Sequence, residues 1–302
     1  MNKRLGTLLF SGSLTLNIFS QQLPTIQKSM PLDAVNNEHI LFNRQAINPA
    51  LSNDTIKFKV SRVHTSAVAG SESPRNLFSI AGKLPNSKSA IGLDFGYINS
   101  GIFKNQKLRL NYSYRLIINP ISDLKAGMNL GFSRFKFDPY YNSFSGLTSS
   151  NVKWSYYPNL DIGLVYRRSN QNIGISYLEM INSSTKEGFT TYDITKKTLL
   201  VNYFACYKLS KKTKILPEII IFNDSHKTEL RLKGSLSFND KLLTGLIVDN
   251  SLKKYCFVVS GVFLKYFELG YILEYNNGGA NNKLRHAIFK IRNNDKMTML
   301  KC

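Results

Sequence analysis

The chain has 302 residues, 43% of them hydrophobic, with 40 Lys and Arg against 19 Asp and Glu and a formal net charge of +21. Past the N-terminus no run approaches the roughly 18 apolar residues that a helix needs to cross a bilayer, so any membrane crossing must use strands. Cys206, Cys256 and Cys302 have no CxxC spacing and form neither a disulfide framework nor a zinc motif, and His39, His64, His226 and His286 lack the i, i+4 spacing of helical metal ligands.

The first element is an export signal. "MNKRLGTLLFSGSLTLNIFSQQ" has a basic start at Lys3 and Arg4, an apolar stretch from Leu5 to Ile18, and a small residue, Ser20, before Gln21. This is the pattern of a secretory signal peptide over residues 1–20. Residues 21–55 carry Pro24, Pro31 and Pro49 and no clear periodicity, which predicts an irregular periplasmic or plug segment ahead of the first strand.

From there the chain breaks into period-2 segments of about ten residues separated by turn-forming clusters. Fourteen are expected, at about 56–67, 77–84, 90–99, 106–116, 123–137, 158–167, 171–178, 197–208, 214–223, 228–238, 241–249, 254–263, 267–276 and 284–292. In "KLRLNYSYRL", Leu108, Leu110, Tyr112, Tyr114 and Leu116 alternate with Arg109, Asn111, Ser113 and Arg115. "ELRLKGSLSF" sets Leu230, Leu232, Leu236 and Phe238 against Glu229, Arg231, Lys233 and Ser237, and "FELGYILEY" sets Leu269, Tyr271 and Leu273 against Glu268, Gly270 and Glu274. Connections also differ by parity. Even-numbered ones are mostly short, while 68–76, 138–157, 179–196 and 277–283 are long; the connections after the ninth and eleventh strands are the exceptions. The tail 293–302 is expected to fray.

Alternation alone fits a soluble sheet with an apolar core as well as a barrel with apolar residues facing lipid. An even strand count, an export signal, tyrosines near strand ends and loop parity together favour an all-β, antiparallel transmembrane barrel over residues 56–292, in the bacterial outer membrane. Turning Arg109 or Arg115 toward lipid at mid-depth would cost roughly 2–4 kcal/mol each, so the charged face must line the lumen. Asp94, Arg109, Arg115, Asp161, Glu229, Arg231, Glu268 and Glu274 are therefore expected to form a lumenal charge network.

No nucleophile elbow, P-loop or dinucleotide fingerprint is present, so no catalytic, metal or cofactor site is expected and the protein reads as non-enzymatic. The lysines are spread over turns and tail, as in "SKKTK" and "SLKKY", without the stripe that nucleic-acid binding requires. Outward lysines suit anionic lipopolysaccharide or an acidic partner. The long connections carry aromatics, Tyr140, Tyr141, Trp154, Tyr156, Phe189 and Tyr192, that are candidates for a partner-binding surface.

"FNRQAINPALSN" contains Asn48, Pro49 and Ala50, "ESPRN" contains Pro74 and Arg75, and the last hairpin contains His286. These stretches, with "PNLDIGLVYRRSNQNIGISYLEM" between them, resemble in order the motifs of the PorP/SprF family, outer-membrane proteins of the type IX secretion system in Bacteroidota. The chain departs from that pattern at Ser73 and Ala287. The resemblance implies a barrel that supports export or surface anchoring of cargo, including gliding adhesins in some members. It also implies partners: outer-membrane lipid, the secretion machinery with its periplasmic lipoproteins, and the C-terminal domain of secreted cargo. The alternative function is a passive channel or small-solute transporter.

Overall fold

A computed structural model describes residues 44–53, 58–67, 75–85, 88–100, 103–137, 154–181, 184–187, 190–193, 197–224, 227–250, 254–263, 267–276 and 283–293. The expected signal peptide, Pro74, Tyr140, Tyr141 and Phe189 lie outside these residues, as does the tail after Asn293. For Arg75, Tyr192, Glu274 and His286 only the backbone is described.

Alternation of β-branched, aromatic and leucine side chains with polar ones makes strands the economical local structure. They are β1 (Phe58–Ala67), β2 (Arg75–Lys83), β3 (Ser89–Ser100), β4 (Phe103–Asn119), β5 (Ser122–Phe137), β6 (Ser155–Arg168), β7 (Gln171–Leu178), β8 (Ser184–Glu187) and β9 (Thr190–Asp193). Then come β10 (Thr198–Ala205), β11 (Tyr207–Lys208), β12 (Thr213–Asp224), β13 (Lys227–Phe238), β14 (Leu242–Asp249), β15 (Lys254–Phe263), β16 (Phe267–Asn276) and β17 (Lys283–Asn293). Pairing is antiparallel throughout, consecutive from β1 to β7, then β7 with β10, β10 with β12, and consecutive again from β12 to β17. β17 pairs with β1 from Phe58↔Asn293 to Ala67↔Leu284, so among the described residues fourteen strands form a ladder that meets itself and leaves no open edge. β11 continues the line of β10 beyond Cys206 on the same partner, β12.

The fourteen expected segments correspond one to one to these ring strands, with two differences at the connections. β6 begins at Ser155 because its ladder with β5 extends to Phe135↔Ser155, so Tyr156 is a strand residue and not a loop residue. The stretch 179–196 holds the small hairpin β8–β9, with Tyr192 in β9; four-residue strands are too short for their alternation to be read. Asn239 and Asp240 both adopt positive φ, 51° and 56°, and Lys241 N donates to Phe238 O at 2.9 Å. The register Phe238↔Leu242 makes a three-residue loop, whose first two residues have the positive φ of a mirror-image turn, the twist that matches a hairpin. Cys206 is disulfide-bonded, against the sequence expectation.

Burial decides which face meets lipid. Leu93, Leu110, Leu130 and Leu160 lie opposite one another across β3–β6 and form an outward row, with Leu110 57% exposed. Ile173, Ile175, Phe257, Val259, Leu269 and Tyr271 extend the apolar belt around the ring. On the other face Asp94, Arg109, Asn111, Asn129, Asp161, Glu218, Lys233 and Glu268 are buried. An apolar exterior over a polar interior is the pattern of a lipid-embedded barrel. The interior is not uniformly polar, however. Val165, Leu178, Leu200, Phe204 and Ile220 point inward on β6, β7, β10 and β12, and Ile247, Cys256, Val258 and Ile272 form a second inward cluster, with Leu77 of β2 against it.

Leu130→Arg places a guanidinium in the middle of the apolar belt and is expected to lower stability by about 2–4 kcal/mol in phospholipid, measured by reversible denaturant unfolding. An unchanged unfolding midpoint would contradict the outward placement of the leucine row.

Candidate functional site in the barrel lumen

Residues Arg44–Ile47 form one helical turn, α1, and Pro49–Asn53 a 3-10 turn. Asn48 stands between them as an N-cap: its Oδ1 accepts from Ala50 N at 3.0 Å, and Pro49, lacking an N–H, fills the first helical position. Gln45, Ala46, Ile47, Asn48, Ala50 and Leu51 are all at most 4% exposed. What buries them is the inner wall of the barrel.

The wall has a seat for this segment. Ser113, Gly127, Gly163 and Ser176 stand opposite one another in register on β4, β5, β6 and β7 and face the lumen. The segment crosses this row of small residues one contact at a time. Ser52 Oγ donates to Ser113 Oγ at 2.6 Å, Pro49 and Ala50 lie on Gly127, Asn48 and Pro49 lie on Gly163, and Ser176 Oγ donates to Ile47 O at 2.7 Å. A Cβ at Gly163 would sit 2.9 Å from Asn48 Cγ and 3.0 Å from Pro49 Cδ. At Gly174 it would sit 2.9 Å from Asn48 Nδ2. The space left by these two glycines lets Asn48 Nδ2 reach the carbonyls of Leu164 and Ile175 and Asn202 Oδ1, each at 3.2 Å.

Polar contacts fix the segment on both sides of the lumen. Gln45 Nε2 donates to Asp94 Oδ1 on β3 at 2.6 Å, while Arg44 pairs with Glu218 on β12, which also accepts Lys233 Nζ at 2.9 Å. β3 and β12 are six strands apart in the ring, close to opposite sides. The Arg44 guanidinium lies 4.6 Å over the Phe204 ring, and Ile47, Ala50 and Leu51 close the inward apolar cluster of Val165, Leu178, Leu200, Phe204 and Ile220. The segment thus covers the apolar part of the inner wall and supplies partners to its charged part.

The structure brings several of the expected charged residues together. Arg109 lies 3.2 Å from Asp161 and 3.8 Å from Asp94. Asp161 also accepts from Asn129 at 2.9 Å and from Glu179 N at 2.8 Å. Asn111 Nδ2 continues the chain to Asn129 Oδ1 at 2.5 Å and to Pro49 O at 3.4 Å, so the network returns to the seated segment. Arg115 finds a partner outside the expected set, Asp123, with Nη2 at 2.7 Å, and Arg167 shares that carboxylate. Arg231 pairs with Glu229 two residues away at 3.0 Å, and Glu268 accepts from Ser260 at 3.2 Å; these are on β13 and on β15–β16, apart from the Arg109 group. Asp123, Lys107 and Glu179 joined the network without being singled out in the sequence, and Lys233, read there only as part of its strand's polar face, joined it as well. The signal was present for Lys107 and Lys233, which share alternation parity with Arg109 and Arg231, but the register that places Asp123 opposite Arg167 is set by pairing.

Of the loop aromatics, Trp154 lies 4.7 Å under the Arg134 guanidinium, whose Nε donates to Gln106 Oε1 at 2.5 Å. Tyr156 is 63% exposed on the wall beside it. Trp154 is thereby held by the barrel rim.

A family model described as type IX secretion system membrane protein PorP/SprF matches residues 33–290. The chain belongs to the PorP/SprF family. That makes it a membrane component of the type IX secretion system, located in the outer membrane. No curated protein matches it. Among solved structures, Omp33, an outer membrane protein of Acinetobacter baumannii, is similar over 79% of this chain and 98% of its own, with a TM-score of 0.53 and 10% identity. The P. putida toluene transporter TodX is similar over 82% of this chain and 93% of its own, with a TM-score of 0.47 and 9% identity. The likeness to Omp33 shows the barrel fold. In this PorP/SprF protein, the Asn48, Pro49 and Ala50 stretch of the family resemblance is the part of the N-terminal segment that contacts Gly127 and Gly163.

Gly163→Leu is expected to displace Asn48 and Pro49 and to cost about 1–3 kcal/mol, the usual range for overpacking. Gly234→Ala, where an added Cβ meets nothing within 4 Å, should be neutral. The gel-shift unfolding temperature of the barrel, together with protease cleavage within residues 44–53, checks both. Equal behaviour of the two variants would contradict the seat.

Proposed function

We propose that the protein is a plugged, non-conducting barrel that serves the type IX machine as a non-enzymatic scaffold for export or surface anchoring of cargo. The observation that supports this reading is the seated segment 44–53, which reaches across the lumen from Asp94 on β3 to Glu218 on β12. Phe58 and Asn293, where the ring begins and ends, lie on the side of the shorter connections, which suits contact with periplasmic lipoproteins of the machine on that side and with cargo C-terminal domains near the longer loops. Lipopolysaccharide would then meet the outer rim, and adhesins for gliding motility are one class of cargo.

A deletion strain tests the proposal. Comparison of its surface and secreted proteome with the parent is expected to show loss of a specific set of exported proteins, restored by the wild-type gene. An unchanged surface with altered uptake of small solutes would overturn the scaffold and favour a channel.

A further inference from the structure

We propose that the outer wall directly behind the plug's seat holds one hydrocarbon chain of a membrane phospholipid. Two outward rows flank the seat row. One runs Tyr112, Met128, Ile162, Tyr177 and Leu199, and the other runs Tyr114, Ala126, Leu164 and Ile175, each aligned by the register of β4, β5, β6, β7 and β10. Between them lies an apolar depression of about 530 Å³. It exists because Ala126 stands between Tyr114 and Leu164 where neighbouring outward positions carry large side chains; the backbone of Gly127 and Gly163, whose side-chain positions face the plug on the lumen side, forms its floor.

The chemistry selects the occupant. The depression opens on the lipid-facing belt, beside Leu110 and Leu130, and its lining side chains are almost wholly apolar, so water or a polar ligand gains nothing there. Its volume lies within the usual range of small-molecule sites, about 300–1,000 Å³. A protein partner would need about 800 Å² from this side, several times what the depression presents. A flexible alkyl chain fits both the belt and the size. The peptide units of Gly127, Gly163 and Ser176 then touch this chain outside and residues 47–50 inside, with a wall one backbone thick between them.

The test uses full-length protein reconstituted with palmitoyl-oleoyl phosphatidylethanolamine and then washed in detergent, with retained lipid counted by native mass spectrometry. The wild type and Leu232→Phe, a change on the outward face of β13, are expected to retain one phospholipid, and Ala126→Trp to lose it by about tenfold in occupancy. Wild-type protein that retains none, or Ala126→Trp that retains as much, overturns the proposal. A phosphatidylethanolamine with a diazirine near the end of one acyl chain provides a second measurement that needs no variant. Cross-links on the wild type should concentrate on Ala126, Met128 and Leu164 over the equally outward Leu232; uniform labelling of the belt overturns the site.

Discussion

Asn48 rests where two glycines leave room for it, and most of the lumen is organised around that contact. Its amide reaches two wall carbonyls and Asn202, and its oxygen caps the turn that follows. A Cβ at Gly163 would crowd Asn48 Oδ1 and Cγ, and one at Gly174 would crowd its Nδ2 at 2.9 Å. Once Asn48 is fixed, Pro49 and Ala50 fall on Gly127, Ser52 on Ser113, and Ile47 on the apolar cluster. Removing one carbon atom's worth of space from the wall would therefore disturb a whole segment of chain.

The same segment explains how so many charged residues remain inside a barrel. A buried carboxylate without a partner is costly, and breaking one buried ion pair typically costs about 3–5 kcal/mol because the remaining charge is stranded. Asp94 and Glu218 each receive a donor from the segment, Gln45 and Arg44, in addition to wall donors. The inward apolar residues face the complementary problem, since water against Leu200, Phe204 and Ile220 would be unfavourable, and Ile47 and Leu51 remove it. Plug and wall thus each satisfy what the other leaves open.

Strands were legible because each carries the period-2 signal within itself. Leu110 and Arg109 announce opposite faces whatever their neighbours are, and the choice between lipid and core followed from the number of strands and the length of their connections. The seat was not legible in the same way. Ser113, Gly127, Gly163 and Ser176 are ordinary small residues in four separate strands, and only their register makes them a row. Asp123 was missed for the same reason, because its alignment with Arg167 is a property of pairing. The inward apolar residues broke the expectation of a polar lumen because alternation reports which face a residue is on, not what the face packs against. Asn48-Pro49 did carry a local sign, an N-cap followed by a first-turn proline, within a stretch that otherwise shows no periodicity.

Single-channel recording in planar bilayers bears most directly on whether the protein's own N-terminal segment fills the lumen. Full-length protein should show no large steady conductance, and a variant lacking residues 44–53 should show one. Steady large conductance from the full-length protein would contradict a lumen closed by that segment.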